Sequence, residues 1–272
     1  MFRVALASLL SVCFLSPVHA EQVTISGSTS VARVMDVIAE RYNTDHKDTY
    51  IAVQSIGSTA GITLLEKGVS DIAMSSRFLT DREQNESLTV TPIAYDGLAV
   101  VVNRINNTQN LSREQLYKIY KGEITNWKEV GGDDRQIAVV TREASSGTRY
   151  SFESLLGLTK IVNNRVVSDI NTDNLVVNSN SMVKTIVNHN PHAVGYISVG
   201  SVDSSVKAVN FEGVSPSNKK IAEEKYQLAR PFMILYKTEE IEQDAKEFID
   251  YMKSDEAKLI IEEYGYTPIK RK

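Results

Sequence analysis

The sequence predicts an α/β protein folded as two lobes. Short β-branched runs alternate with segments of helical spacing, the pattern of α/β layers. Three of those runs end in Gly, Ser and Thr directly before a helix. The apolar stretch 93–103, broken only by Asp96-Gly97, can carry the chain from one lobe to another. A single sheet would be a crowded home for so many units. The expected division is therefore residues 21–96 plus 230–272 in lobe one and 97–229 in lobe two, with crossings near 96 and 230.

In order, Val23-Thr24-Ile25 reads as a first strand, and Val31, Val34, Met35, Ile38 and Tyr42 share one helical face. Tyr50 to Val53 is a second strand, Ile62 to Lys67 a short helix stopped by Gly68, and Ile72 to Met74 a third strand. Ser112 with Gln115 forms a capping box for a helix through Tyr120. A strand at Ile137 to Val140 precedes a helix from Gly147 to Leu156, and Ser181 is expected to cap a helix reaching Asn188. Strands at Gly195 to Ile197, Val206 to Val209 and Phe232 to Tyr236 follow. Two closing helices have Thr238 and Ser254 as expected N-caps.

Met1-Phe2-Arg3, an apolar run from Val4 to Leu15, and Val18-His19-Ala20 read as a signal peptide cut after Ala20. That run is too short to span a membrane. The only cysteine, Cys13, lies inside it, and apolar Phe14-Leu15 after it disfavour lipidation. The mature chain is thus expected to be periplasmic, to have no disulfide or thiolate ligand, and to be held by its core. A net charge of −4 argues against nucleic acid or anionic lipid as the main partner, but not against one small buried anion.

The informative feature is the repeated corner. Gly27-Ser28-Thr29-Ser30, Gly57-Ser58-Thr59-Ala60-Gly61 and Arg142-Glu143-Ala144-Ser145-Ser146-Gly147-Thr148-Arg149 each stand between a strand and a helix. A helix start exposes unpaired N–H groups at the positive end of its dipoles. Glycine admits a ligand close to that backbone, and hydroxyls add donors on short stems. One such corner is an ordinary N-cap. Three together, with Arg142 as a fixed cation, describe a cage for a tetrahedral oxyanion. Ser75-Ser76-Arg77 after the third strand adds two hydroxyls and a second arginine, which reads equally as a solvated rim residue.

These residues resemble the phosphate-binding subunit of the high-affinity phosphate ABC importer, a type II periplasmic binding protein. The likeness spans the mature chain and rests most on Arg142 with Ser146-Gly147-Thr148. Ile124-Thr125-Asn126-Trp127 and Gly195-Tyr196-Ile197 are secondary signs. It implies two lobes with hinge strands and ligand contacts at Thr29, Ser30, Ser58, Arg142, Ser146, Gly147 and Thr148. It also implies delivery of phosphate to a membrane permease, with no cofactor, and a monomer is expected. Two positions depart from the family pattern: Ser76 and Ala144 stand where carboxylates are usual. Ser76 is retained as a ligand contact, with weaker rejection of sulfate expected; the alternative reading is a binding protein for another tetrahedral oxyanion, sulfate, molybdate or tungstate. Glu143 or Asp96 could replace the missing partner of the arginine.

Enzyme readings are weaker. Ser181-Met182-Val183-Lys184 fits the S-x-x-K pattern of penicillin-recognising serine hydrolases, but no Lys-Thr-Gly segment accompanies it. His189 and His192 have a metal-like interval, yet Pro191 breaks the helix that would align them. No reaction and no metal are expected.

Overall fold

The computed structural model describes residues 21–269. The signal peptide expected at 1–20, including Cys13, lies outside the described residues.

The first part of the chain runs β1 (Glu21–Gly27), α1 (Thr29–Asp45), β2 (Thr49–Ser55), α2 (Ser58–Glu66), β3 (Ile72–Ser75) and the long β4 (Leu88–Val102). Then come β5 (Asn110–Leu111), α3 (Arg113–Lys121), β6 (Ala138–Arg142), α4 (Gly147–Leu156), β7 (Thr159–Val162), β8 (Arg165–Ser168), β9 (Leu175–Val177), α5 (Asn180–His189) and β10 (Ala193–Ser198). The chain closes through β11 (Lys207–Ala208), β12 (Asn210–Phe211), α6 (Asn218–Ala222), β13 (Ala229–Lys237), α7 (Gln243–Tyr251), α8 (Asp255–Glu263) and β14 (Thr267–Pro268).

The main sheet follows the order β2-β1-β3-β13-β4-β10-β6-β9, a single hydrogen-bonded path. Its continuity comes from β4. Leu88 to Gly97 pairs antiparallel with β13, and Leu98 to Val102 pairs antiparallel with β10. One strand therefore serves two strand groups and joins them at Asp96-Gly97. A methyl group on Gly97 would sit 2.7 Å from Ile221 and 2.9 Å from Val199, so the junction is packed to the backbone.

Two large cores flank that junction. One gathers Ile25, Val34, Met35, Ile38, Tyr42, Met74, Phe232, Phe248 and Tyr266. The other gathers Leu98, Val100, Leu116, Tyr120, Trp127, Phe152, Tyr196 and Leu228. They share no residue. Burial of these side chains, at about 25 cal/mol per Å² of apolar surface, is the main force holding each together.

Local chemistry sets the helix ends. In α1 the Ser28 hydroxyl accepts from the Ser30 and Val31 amides at 3.2 and 3.3 Å, and the predicted apolar face is buried. The capping box of Ser112 and Gln115 is present, and Gly122 ends α3 in the left-handed region at φ 80°. Four expectations need correction. α2 begins at Ser58, not Ile62, because Gly57 at φ 96° turns the chain straight into the helix. β6 extends to Arg142, which lies on the strand end and not in the following loop. Ser179, not Ser181, caps α5, accepting from the Met182 amide at 3.1 Å. Glu242, not Thr238, precedes α7; Ser254 does cap α8.

Candidate functional site

β1 and β2 are parallel, as are β6 and β9, and each of the four is followed by a helix. The starts of α1, α2, α4 and α5 meet at the junction made by β4 and β13. There are thus four strand-to-helix corners, one more than the sequence showed.

The side chains at these corners touch. Ser30 Oγ lies 3.0 Å from Thr148 Oγ1, across 118 residues of chain. Ser28 Oγ donates to Ser76 Oγ at 2.9 Å, and Ser58 Oγ lies 3.4 Å from Ser76 Oγ while accepting from the Ser76 amide at 3.2 Å. Gly147 faces this pair: a methyl group there would sit 2.2 Å from Ser58 Oγ and 2.6 Å from Ser76 Oγ. Only glycine permits that approach. The first-turn amides of Gly147 and Thr148 have no carbonyl a turn behind them within α4 and so remain donors.

Arg142 is fully buried. Its Nε and Nη2 bond the Glu143 carboxylate at 2.9 and 3.0 Å, Nη2 reaches Thr29 Oγ1 at 3.2 Å, and Nη1 reaches Asn180 Oδ1 at 3.4 Å. The pairing with Glu143 does not carry it to the surface. The Arg142 amide bonds the Tyr196 hydroxyl at 3.3 Å, and the Tyr196 ring stacks on Phe152 with centroids 3.8 Å apart, which fixes the end of β6. Ser146 caps α4, and its hydroxyl accepts from the Arg149 amide at 3.2 Å. Of the sequence-predicted residues, Thr29, Ser30, Ser58, Ser76, Arg142, Gly147 and Thr148 are brought together. Ser146 lies at the same corner with its oxygen turned to its own helix.

Arg77 is buried too, but it is not a cage cation. Its two terminal nitrogens are spent on both Glu83 oxygens at 2.6 and 2.7 Å, the Phe78 carbonyl and Thr59 Oγ1, with the Tyr150 ring 4.9 Å away. Burial pushes the Glu83 carboxyl up, but the bonds from Arg77 and Thr80 outweigh it and hold the group below its ordinary value.

The family profile described as PBP superfamily domain matches residues 16–256. A phosphate-binding protein PstS of Borreliella burgdorferi is 35% identical over 252 residues, covering 91% of this chain and 90% of that protein. The chain belongs to this phosphate-binding family of the PBP superfamily. An ABC-type phosphate transport receptor from Vibrio cholerae is 62% identical with a TM-score of 0.78, covering 90% of this chain and 99% of the receptor. A phosphate ABC transporter substrate-binding protein from Clostridium perfringens, solved with bound phosphate, is 38% identical with a TM-score of 0.86, covering 92% and 100%.

Two residues of this cluster were missed in the sequence. Arg230, at the start of β13, is buried and donates from Nη2 to Ser30 Oγ at 3.1 Å and from Nη1 to Thr148 Oγ1 at 2.9 Å. Asp96 on β4 holds it at 2.8 and 3.0 Å, and the Ser198 hydroxyl donates to the other Asp96 oxygen at 2.9 Å. Complete burial raises the Asp96 carboxyl; the Arg230 charge and its hydrogen bonds oppose that shift. Asp96 thus partners Arg230 and not Arg142, whose carboxylate is Glu143. The second missed residue, Asn180, opens α5 and donates from Nδ2 to Ser30 Oγ at 3.0 Å. The one available signal was an Asn-Ser-Asn run after a β-branched pair, Val176-Val177.

The hydrolase pair does not form. Ser181 is exposed, and Lys184 turns to Asp203 at 2.5 Å. The His189 ring bonds the Thr185 carbonyl of its own helix at 2.8 Å.

Proposed function

We propose that this protein captures inorganic phosphate outside the cytoplasm and delivers it to the membrane permease of an ABC importer. The observation that carries the reading is the convergence of hydroxyls, helix starts and two buried guanidinium groups on one spot. Donors of this kind replace the hydrogen bonds an anion loses with its water. Each arginine is balanced by a carboxylate, Arg142 by Glu143 and Arg230 by Asp96, so the guanidinium groups are held in place before the ligand arrives. The named relatives, one of them solved with phosphate, support the choice of anion.

The site takes Thr29, Ser30, Ser58 and Ser76 as one wall and Arg142, Ser146, Gly147 and Thr148 as the other, with Arg230 at the base. Lobe one comprises 21–96 plus 230–272, and lobe two 97–229. In support, no residue of either large core lies on the far side of these bounds. Opening and closing is a hinge motion about β4 and β13 that hands phosphate on without a reaction. Export follows from the signal read at 1–20, and no described helix is long and apolar enough to cross a membrane.

Calorimetric titration of the mature protein with phosphate, sulfate, molybdate and tungstate tests this. Saturable binding of one phosphate is expected. No heat with any of the four anions would end the reading, and tighter binding of sulfate would end the phosphate assignment alone.

A further inference from the structure

The cage hydroxyls are held in one sense. A serine hydroxyl has one hydrogen to give and two lone pairs to receive with. At Ser30 Oγ both lone pairs are taken, one by Asn180 Nδ2 at 3.0 Å and the other by Arg230 Nη2 at 3.1 Å. Its single hydrogen is left to point forward, toward Thr148 Oγ1 or an anion oxygen. Asn180 could in principle present either end of its amide. A guanidinium carries no acceptor, so the amide oxygen must face Arg142 Nη1, at 3.4 Å, and the NH₂ must face Ser30. The Ser179 cap fixes where Asn180 stands, and the side chain is only 6% exposed.

We propose that Asn180 is a positioning residue of the anion site: wedged between Arg142 and Ser30, it locks the Ser30 hydroxyl as a donor toward the bound oxyanion. This rests on the phosphate reading above. Donor sense passes from the Arg142 guanidinium through the Asn180 amide to the Ser30 hydroxyl and ends on the ligand. The same contact joins β9–α5 to β1–α1, so Ser30 is oriented only when the two corners meet.

A double-mutant cycle read by phosphate calorimetry tests it. In the wild-type background Asn180→Ala is expected to weaken phosphate about tenfold, the scale of one hydrogen bond in a charged network. In a Ser30→Ala background the same change is expected to cost less than about twofold, because the hydroxyl it acts through is gone. Asn180→Asp keeps the shape but only accepts, turning the Ser30 hydrogen away from the ligand, and is expected to lose more than Asn180→Ala. It also keeps the test open if Asn180→Ala fails to fold. Equal losses for Asn180→Ala in both backgrounds, or a milder effect for Asn180→Asp, would overturn the proposal while leaving the phosphate reading intact. A wild-type protein that ignores phosphate would end both.

Discussion

Two strand ends in this protein carry nearly the same parts and do different things. After β3, Arg77 is 2% exposed and grips Glu83; at the end of β6, Arg142 is 0% exposed and grips Glu143. Both have hydroxyl neighbours. The difference is where the carboxylate sits. Glu83 takes both terminal nitrogens of the Arg77 fork, the Phe78 carbonyl and Thr59 share them, and only the buried Nε is left without a partner. Glu143 takes the Nε edge of Arg142 and Nη2 is shared with the Asn178 carbonyl and Thr29, so Nη1, which bonds only Asn180, keeps a hydrogen to give. Under the proposed function Arg142 serves the anion and Arg77 serves the fold, because their carboxylates grip different edges of the fork.

Perturbing each side sharpens that contrast. The largest effect belongs to Arg230, whose loss would strip two hydroxyls of a donor and leave Asp96 buried without its partner. Arg230→Ala should lower stability by about 3–5 kcal/mol in urea unfolding and abolish tight phosphate binding. An unchanged midpoint would mean that water takes over from the guanidinium. Next is Gly147→Ala, whose methyl would press on Ser58 and Ser76; calorimetry should show a phosphate affinity lower by about 1–3 kcal/mol. The smallest belongs to the Arg77 corner. Ionised Glu83 stabilises the fold above the ordinary carboxylate range, and that contribution is lost as pH falls through its lowered native value. Glu83→Gln should therefore cost about 1–2 kcal/mol at neutral pH, with the difference between the two proteins shrinking as pH falls below the ordinary carboxylate range. Phosphate affinity at neutral pH should be nearly unmoved.

Much of this was legible beforehand, for a physical reason. Corners built from glycine and serine before a helix are local patterns, and local hydrogen bonding fixes them. That is why Thr29, Ser30, Ser58 and Gly147 could be named. The α1 face and the capping box of α3 were equally local. Arg230 was illegible because nothing near it in sequence is polar in a telling way; its meaning comes from Asp96 and Ser30, which are 134 and 200 residues distant. Asn180 was hidden by an N-cap placed two residues late, at Ser181 instead of Ser179. The β4 junction had its signal in Asp96-Gly97, but pairing with β13 on one half and β10 on the other is a long-range fact.

The most direct test sets Arg142→Ala beside Arg77→Ala in phosphate calorimetry. Arg142→Ala should weaken binding by about 2–5 kcal/mol, and Arg77→Ala should shift it by less than about 0.5 kcal/mol. Undiminished affinity in Arg142→Ala, or an equal loss in both variants, would contradict the cage as drawn.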